Sequence, residues 1–557
     1  LNKKSAQKQK RLLTTASRKP LFHKKENAKF KSKTDKTKDQ NPRPATRKRA
    51  FTFAATQPIT WPMSQNIRSV MTAGMDGIQI DVECQITNGL PAIIIVGLGS
   101  RAIDEAKERI RSAFTAAGLV LPRKRITINL APADVRKETT SFDMAIAAAI
   151  MASSDSRIRL SDSTAIIGEV GLSGSIRPVR GIIGKLLAGR KLGFKTFFVP
   201  QDNLNQALLV PNVEVVAVKN LAEFHGYLRS SGELTTQAGG SAPLHISEPE
   251  VTVSQVIGQE QAKRALEIAA AGGHNILLYG PPGTGKTMLA KTLPDLLPPM
   301  DRREVLEVTH LHSLAGSRYD QIVTRRPFRA PHHSSSSSAI IGGNVNPGEL
   351  SLSHGGVFFM DEMPEFDRRV LESLRQPLEE RTVTIARVKQ SVTYPANFIL
   401  VATANPCPCG FNGTHRPCTC PPSDIARYQR KLSGPVLDRI DLFVSVGLTD
   451  HALLLSSGST PDEAEAGRDR VRRARIRQQE RALTLNALLD NRQLKNFAIL
   501  ADEATQILNN AAKRLDLSPR AYMRTLKVAR TIADLDNSHE ILAQHITESL
   551  QYRKAQK

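Results

Sequence analysis

Gly280-Pro281-Pro282-Gly283-Thr284-Gly285-Lys286-Thr287 decides the fold of the middle of this chain. It satisfies the pattern G-x-x-x-x-G-K-[ST], and both flanks suit it. His274 to Tyr279 reads as a short buried strand and Met288 to Leu297 as a helix, so the glycines sit in a strand-to-helix turn. Backbone N–H groups of such a turn can cradle phosphate oxygens, helped by the helix N-terminus. Lys286 is expected to reach the β- and γ-phosphates of a nucleotide, and Thr287 to ligate Mg²⁺.

Downstream strands supply the partners such a loop needs. Gly356-Val357-Phe358-Phe359-Met360-Asp361-Glu362 is an apolar run ending in two carboxylates. A buried parallel strand delivers such a pair to the carboxyl edge of its sheet, beside the phosphates. Asp361 would hold Mg²⁺ through water, and Glu362 would orient and polarise an attacking water. Phosphoryl transfer asks mainly for positioning and charge neutralisation. Phe398 to Asn405 is a further apolar strand, and Asn405 at its end would sense the γ-phosphate or help place the water.

The chain has 557 residues, enough for several domains with proper cores, and no apolar run near the length of a membrane span. Its net charge of +24 is uneven: residues 1–62 hold 18 Lys/Arg against 3 Asp/Glu, leaving the remainder mildly basic. Residues 1–65 are expected to be a disordered basic extension. The first methionine is Met63, and the favoured reading places residues 1–62 upstream of the true start; a basic nucleic-acid arm and a targeting segment are the alternatives. The body divides into an αβ domain at 66–228, a Ser/Gly/Thr-rich linker at 229–248, a nucleotide module at 249–450 and a helical segment at 451–557. The location is read as cytoplasmic.

Within the first domain, Gly168-Glu169-Val170-Gly171-Leu172-Ser173-Gly174-Ser175-Ile176-Arg177-Pro178-Val179, then Gly181, Lys185 and Gly193-Phe194-Lys195-Thr196, resembles the proteolytic domain of Lon proteases. That family uses a Ser–Lys dyad. Ser141 matches the serine position, but the lysine position falls on Ile183. An unaided hydroxyl is a weak nucleophile, so the resemblance implies the α+β fold without the protease activity. Ser141 is expected instead to cap the apolar helix that follows it.

The phosphate loop, the Asp361–Glu362 pair, Asn405, the run Gly434-Pro435-Val436-Leu437-Asp438-Arg439-Ile440-Asp441 and the helix opening Leu517-Ser518-Pro519-Arg520-Ala521-Tyr522-Met523-Arg524 together resemble the AAA+ ATPases. By that resemblance the core is an αβα sandwich followed by a helical lid. Asn405 is sensor 1, Arg439 the arginine finger and Arg520 sensor 2, with Arg524 the runner-up. A finger in trans stabilises charge in a neighbour's site, so the resemblance implies a ring, most often a hexamer.

Arg326-Pro327-Phe328-Arg329-Ala330-Pro331-His332-His333, Gly348 to His354, Asn405-Pro406-Cys407-Pro408-Cys409-Gly410 and Ala529 to Leu535 narrow this to a resemblance with the magnesium-chelatase-like YifB/ComM family, from about residue 64 onward. Members of ComM type are DNA branch-migration helicases of natural transformation. The resemblance implies ATP and Mg²⁺ as cofactors, single-stranded or branched DNA and recombination proteins as partners, and no membrane. The rival readings are a magnesium-chelatase motor subunit and an ATP-dependent protease, the latter missing its lysine at 183.

Four of the five cysteines cluster as Cys407-x-Cys409 and Cys418-x-Cys420, able to form a tetrahedral Zn²⁺ site, although C-x-C is tighter than the usual spacing. Arg381 to Lys389 alternates like a hairpin; by the family resemblance it is the pre-sensor-1 hairpin, where Arg387 and Lys389 could touch DNA phosphate. The arginine-rich helix from Asp462 is expected to be solvated and salt-bridged.

Overall fold

A computed structural model describes residues 66–73, 76–97, 101–133, 140–229, 236–240, 251–315, 322–343, 346–387, 390–431, 436–448 and 461–553. The basic extension, most of the 229–248 linker, Lys389 and the side chain of Arg387 lie outside the described residues.

The first domain contains two four-stranded sheets. One runs Ile67–Ala73, Asp76–Thr87, Arg125–Ala131, Ala92–Val96 in spatial order. Ile67–Ala73 and Asp76–Thr87 pair antiparallel, with Ile67 opposite Val82. The second runs Gln237–Ala238, Glu214–Val218, Thr196–Pro200, Thr164–Ile166, its edge strand drawn from the stretch expected to be linker. Ser69 Oγ donates to the Ile166 carbonyl at 2.7 Å, joining the two through a buried hydrogen bond. The helix Asp143–Ser154 has no polar face over most of its length, and every residue from Asp143 to Met151 is buried. Its first N–H groups need partners. Phe142 occupies the cap position and no side-chain cap forms; instead Met144 N–H donates to the Gly168 carbonyl at 3.1 Å. A tertiary carbonyl has taken the place of the cap expected from Ser141.

The nucleotide module is a five-stranded sheet in the order Phe328–Arg329, Val357–Met360, Ile399–Ala404, Ile276–Tyr279, Leu442–Ser445. Every pairing in it is parallel. Such a sheet must be covered on both faces, so its strands read as apolar runs rather than alternating ones. The period-two geometry divides each run. Ile276, Leu278, Phe359, Val401 and Val444 pack in one core. Leu277, Phe358, Met360, Leu400 and Ala402 pack in the other. All five strands run the same way, so their carboxyl ends share one edge of the sheet.

Beyond the sheet come helices Pro461–Ala482, Asn491–Phe497, Asp502–Arg514, Pro519–Leu535 and Ala543–Gln551. Ser518 caps the fourth by accepting from Ala521 N–H, with Pro519 in the first turn, where its missing N–H does no harm. The arginine-rich helix carries the expected ion pairs, and Arg472 and Arg473 are exposed, but other members are drawn into the core. Arg475 Nε donates to the Ala270 carbonyl at 2.8 Å and Gln478 to that of Ala271 at 3.2 Å. Arg468 pairs with Asp295 at 2.9 Å and Arg470 with Glu267 at 2.5 Å. The carbonyls ending helix Glu260–Gly272 lack intrahelical partners, and Arg475 and Gln478 satisfy two of them, tying the C-terminal helices to the core.

Candidate nucleotide site

The loop leaves strand Ile276–Tyr279 at Gly280 and enters helix Lys286–Leu296. Gly280 N–H donates to the Ala404 carbonyl at 3.1 Å. No side chain fits here, since a Cβ on Gly280 would lie 2.1 Å from the Val446 carbonyl oxygen. Gly285, at the helix N-cap, has φ +83°, a left-handed conformation that favours glycine. A Cβ at Gly283 or Gly285 would meet nothing within 4 Å, so the loop's glycine surface is open to a ligand.

Lys286 Nζ donates to the Gly280 carbonyl at 2.9 Å and to that of Pro281 at 2.7 Å. Burial lowers its pKa, and the charges of Asp361 and Glu362 oppose that shift. Phosphate oxygens are stronger acceptors than carbonyls, so the ammonium is placed to exchange one for the other.

Strand Val357–Met360 delivers the carboxylate pair to the same edge. Asp361 accepts from the Thr287 hydroxyl at 3.1 Å and from the Thr403 hydroxyl at 2.7 Å. Thr403 Oγ in turn accepts from Glu362 N–H at 2.8 Å. Asn405 Nδ2 donates to Glu362 Oε1 at 3.1 Å. Glu362 has φ +52°, a conformation that a residue with a side chain keeps only where its surroundings enforce it. Thr287 and Asp361 together can hold a divalent cation, and Glu362 with Asn405 can orient a water. Thr403, the hinge of this chain of bonds, was not singled out by sequence. A polar residue next to the end of an otherwise apolar strand is the signal that marks it.

Arg439 and Arg520 converge on one carboxylate. Their Nη2 atoms lie 2.5 Å and 3.0 Å from Glu379 Oε1. Arg524 is committed elsewhere, donating to the Ile440 carbonyl at 3.0 Å and the Leu437 carbonyl at 3.5 Å. It braces the turn that carries Arg439. Asn275 supports that turn from the other side: its Nδ2 donates to the Arg439 carbonyl at 2.8 Å, and its Oδ1 accepts from Leu400 N–H at 2.9 Å. Glu379 and Asn275 had no recognisable motif in sequence.

The four cysteine sulfurs all lie within 4.8 Å of one another. Cys407 is 3.4 Å from Cys409 and 3.6 Å from Cys418, and Cys409 is 3.5 Å from Cys418. None is in a disulfide. A tetrahedral Zn²⁺ with bonds of about 2.3 Å sets its sulfurs about 3.8 Å apart, so little adjustment separates this cluster from a closed site. Backbone N–H groups of Phe411 and Thr419 hold the Cys409 thiol down to about 5.

In the first domain, Ile183 is fully buried in apolar surroundings. Lys185 is also buried, and its Nζ donates to the Arg180 carbonyl at 3.2 Å. Asp143 is held by Arg109, Oδ2 to Nε at 2.8 Å, yet burial still raises its pKa to about 6.

Three family models match. Residues 252–453 match "Magnesium chelatase, subunit ChlI", residues 82–203 match "Subunit ChlI of Mg-chelatase", and residues 462–553 match "Magnesium chelatase, subunit ChlI C-terminal". The "Uncharacterized protein YifB" of Escherichia coli (strain K12) is 42% identical over 486 residues, 86% of this chain and 95% of that one. The "Competence protein ComM" of Haemophilus influenzae is 40% identical over 498 residues, 87% of this chain and 97% of that one. A shorter stretch of 61 residues, 11% of this chain and 10% of the other, is 43% identical to "Archaeal Lon protease" of Archaeoglobus fulgidus. With its fold, its glycine-rich loop and these matches in register, the chain belongs to the YifB and ComM family of magnesium-chelatase-like proteins.

Proposed function

We propose that this protein is a ring-forming ATPase that uses ATP hydrolysis to move along DNA and migrate branches, acting in the cytoplasm as a nucleotide-dependent homo-hexamer. The observation that carries the ATPase reading is the unbroken chain of hydrogen bonds Thr287–Asp361–Thr403–Glu362–Asn405 beside an open phosphate loop. In this reading Gly280 to Thr287 and Asp361 bind ATP, and Thr287 and Asp361 hold Mg²⁺, which neutralises phosphate charge. Glu362 orients the attacking water, Asn405 senses the γ-phosphate, and Lys286 stabilises the leaving charge. Arg439 and Arg520 serve the neighbouring subunit's site. The four cysteines take a structural Zn²⁺. The first domain has a Lon-like fold with its dyad lysine replaced by Ile183, and the C-terminal helices are the lid.

The DNA reading is supported by similarity to a protein named for competence and by two surfaces. Strands Thr382–Arg387 and Gln390–Pro395 form a two-stranded hairpin, with Thr384, Ala386, Ser391 and Thr393 exposed. A cavity of about 420 Å³ beside Leu437 is rimmed by Arg368, Arg375, Arg427, Arg430 and Lys431, with Glu372 among them. Cations so grouped suit a phosphate backbone, which is bound without regard to sequence. Among the described residues no helix is long and apolar enough to cross a membrane. ATP turnover measured with forked DNA, casein or a porphyrin-bearing chelatase partner separates the readings. DNA is expected to stimulate turnover and to bind with a steep salt dependence. Stimulation by the chelatase partner or by casein alone would replace the DNA reading with one of its rivals.

A further inference from the structure

We propose that the four cysteines hold one Zn²⁺ that clamps the Asn405 turn against the phosphate loop, so that metal loading governs ATP turnover. This rests on the reading of Gly280 to Thr287 as an ATP site.

Between strand Ile399–Ala404 and helix Pro422–Lys431 the chain runs through residues 405–421 with no helix or strand. A segment this long keeps one shape only if something staples it. Apolar packing supplies little here: Cys407 is buried, but Cys409, Cys418 and Cys420 are only partly so. The sulfurs nevertheless converge, and backbone N–H groups are turned toward them. Asn412 N–H donates to Cys407 Sγ and Cys409 N–H to Cys420 Sγ, each at 3.3 Å. Thiols are weak donors and acceptors and hold one another poorly. Four thiolates around a divalent cation account for the convergence, and the binding free energy of such an ion becomes folding free energy for the loop around it.

The stapled loop touches the candidate nucleotide site in two places. Gly410 N–H donates to the Cys407 carbonyl at 2.9 Å, closing a tight turn at φ +85°. A Cβ on Gly410 would lie 2.5 Å from Cδ and 3.0 Å from Cγ of Pro282, so the backbone of the cysteine loop rests directly on the phosphate loop. Where the loop leaves the strand, Cys407 is two residues from Asn405, whose amide holds Glu362. Gln429 Nε2 donates to the intervening Pro406 carbonyl at 3.4 Å. The ion touches no substrate. It is a positioning device: it fixes the bearing of Asn405 and presses Gly410 on Pro282.

The test uses the full chain, purified reduced and without chelator. Elemental analysis should find one zinc per chain, and Cys418→Ser with Cys420→Ser should lose it. That double variant should lower ATP turnover by roughly tenfold to hundredfold, the usual scale for groups that orient a site, while its affinity for a fluorescent ADP analogue changes far less. Gly410→Ala should keep its zinc and still lose turnover. Hydrogen exchange at residues 280–287 should quicken when zinc is stripped. Absence of zinc overturns the site. Zinc with unchanged exchange in the stripped protein, or normal turnover in Gly410→Ala, overturns the clamp. Should the wild type show no turnover dependent on Lys286, the ATPase reading falls by itself, and zinc content and exchange still decide the clamp.

Discussion

Arg439 and Arg520 come from different segments of the chain, a turn before the last sheet strand and the start of a C-terminal helix, yet both meet Glu379. One carboxylate between two guanidiniums aims them together. That suits a pair acting on one phosphate group, the neighbour's in the proposed ring. Arg439→Ala is expected to abolish turnover while nucleotide affinity survives. Mixing Arg439→Ala subunits with Glu362→Gln subunits, each inactive alone, should restore part of the turnover, because an intact Glu362 then meets a neighbour's intact Arg439; no recovery would place the arginine in its own subunit's site.

Glu379 itself is half exposed, so its ion pairs contribute little to stability. Glu379→Gln should leave the melting temperature nearly unchanged and lower turnover severalfold, because both guanidiniums lose their common bearing. A large drop in melting temperature would instead make Glu379 a structural residue.

Thr403 carries both acids, donating to Asp361 and accepting from the Glu362 backbone. Thr403→Val keeps the shape and removes both bonds. Turnover should fall roughly tenfold to hundredfold, the scale of one or two charge-assisted hydrogen bonds, with ATP affinity little changed. Glu362→Gln should bind ATP without turning it over. Steady-state turnover alongside equilibrium nucleotide binding checks both.

Lys185 gives a pH signature. Burial pushes its ammonium down to about 8. Below that pH it is charged in folded and unfolded chains alike, and the burial penalty is carried in full. Between about 8 and the unfolded lysine value near 10 the folded chain has released the proton while the unfolded chain retains it, so stability rises with pH. Lys185→Met should raise stability at pH 7 by about 1–3 kcal/mol and flatten the rise on the alkaline side. Thermal unfolding of wild type and variant from pH 7 to 9.5 checks this; a less stable variant at pH 7 contradicts it.

Asp534 is buried and accepts from Arg481 at 2.7 Å, Asn486 at 2.8 Å and Arg530 at 3.0 Å. Arg530 is itself only 1% exposed. Asp534→Ala leaves that buried guanidinium without its carboxylate, held only by the Ser538 and His539 carbonyls, at a cost of about 3–5 kcal/mol. Denaturant unfolding of the full chain should show it, and a change under about 1 kcal/mol would mean that the pair is solvated.

The gathering of these residues at one sheet edge is legible because each signal is local. Each feature, Gly280 to Thr287, Asp361–Glu362 and Asn405, is announced by an apolar strand ending in polar residues, and a parallel sheet brings such ends together. What escaped is chemistry made by tertiary contact. Glu379 looks like any surface acid until two distant arginines meet it. Arg475 reads as solvated until the carbonyl of Ala270 takes it. Ser141 seemed a helix cap because nothing in sequence says that the Gly168 carbonyl will already serve Met144.

The most direct measurement follows a labelled three-strand or four-way DNA junction with wild-type protein and with Lys286→Ala. The account predicts that wild type converts the junction only when ATP and Mg²⁺ are present, and that Lys286→Ala does not convert it. Conversion that is independent of ATP, or equal in the two proteins, would contradict it, as would hydrolysis by the wild type with no junction ever resolved.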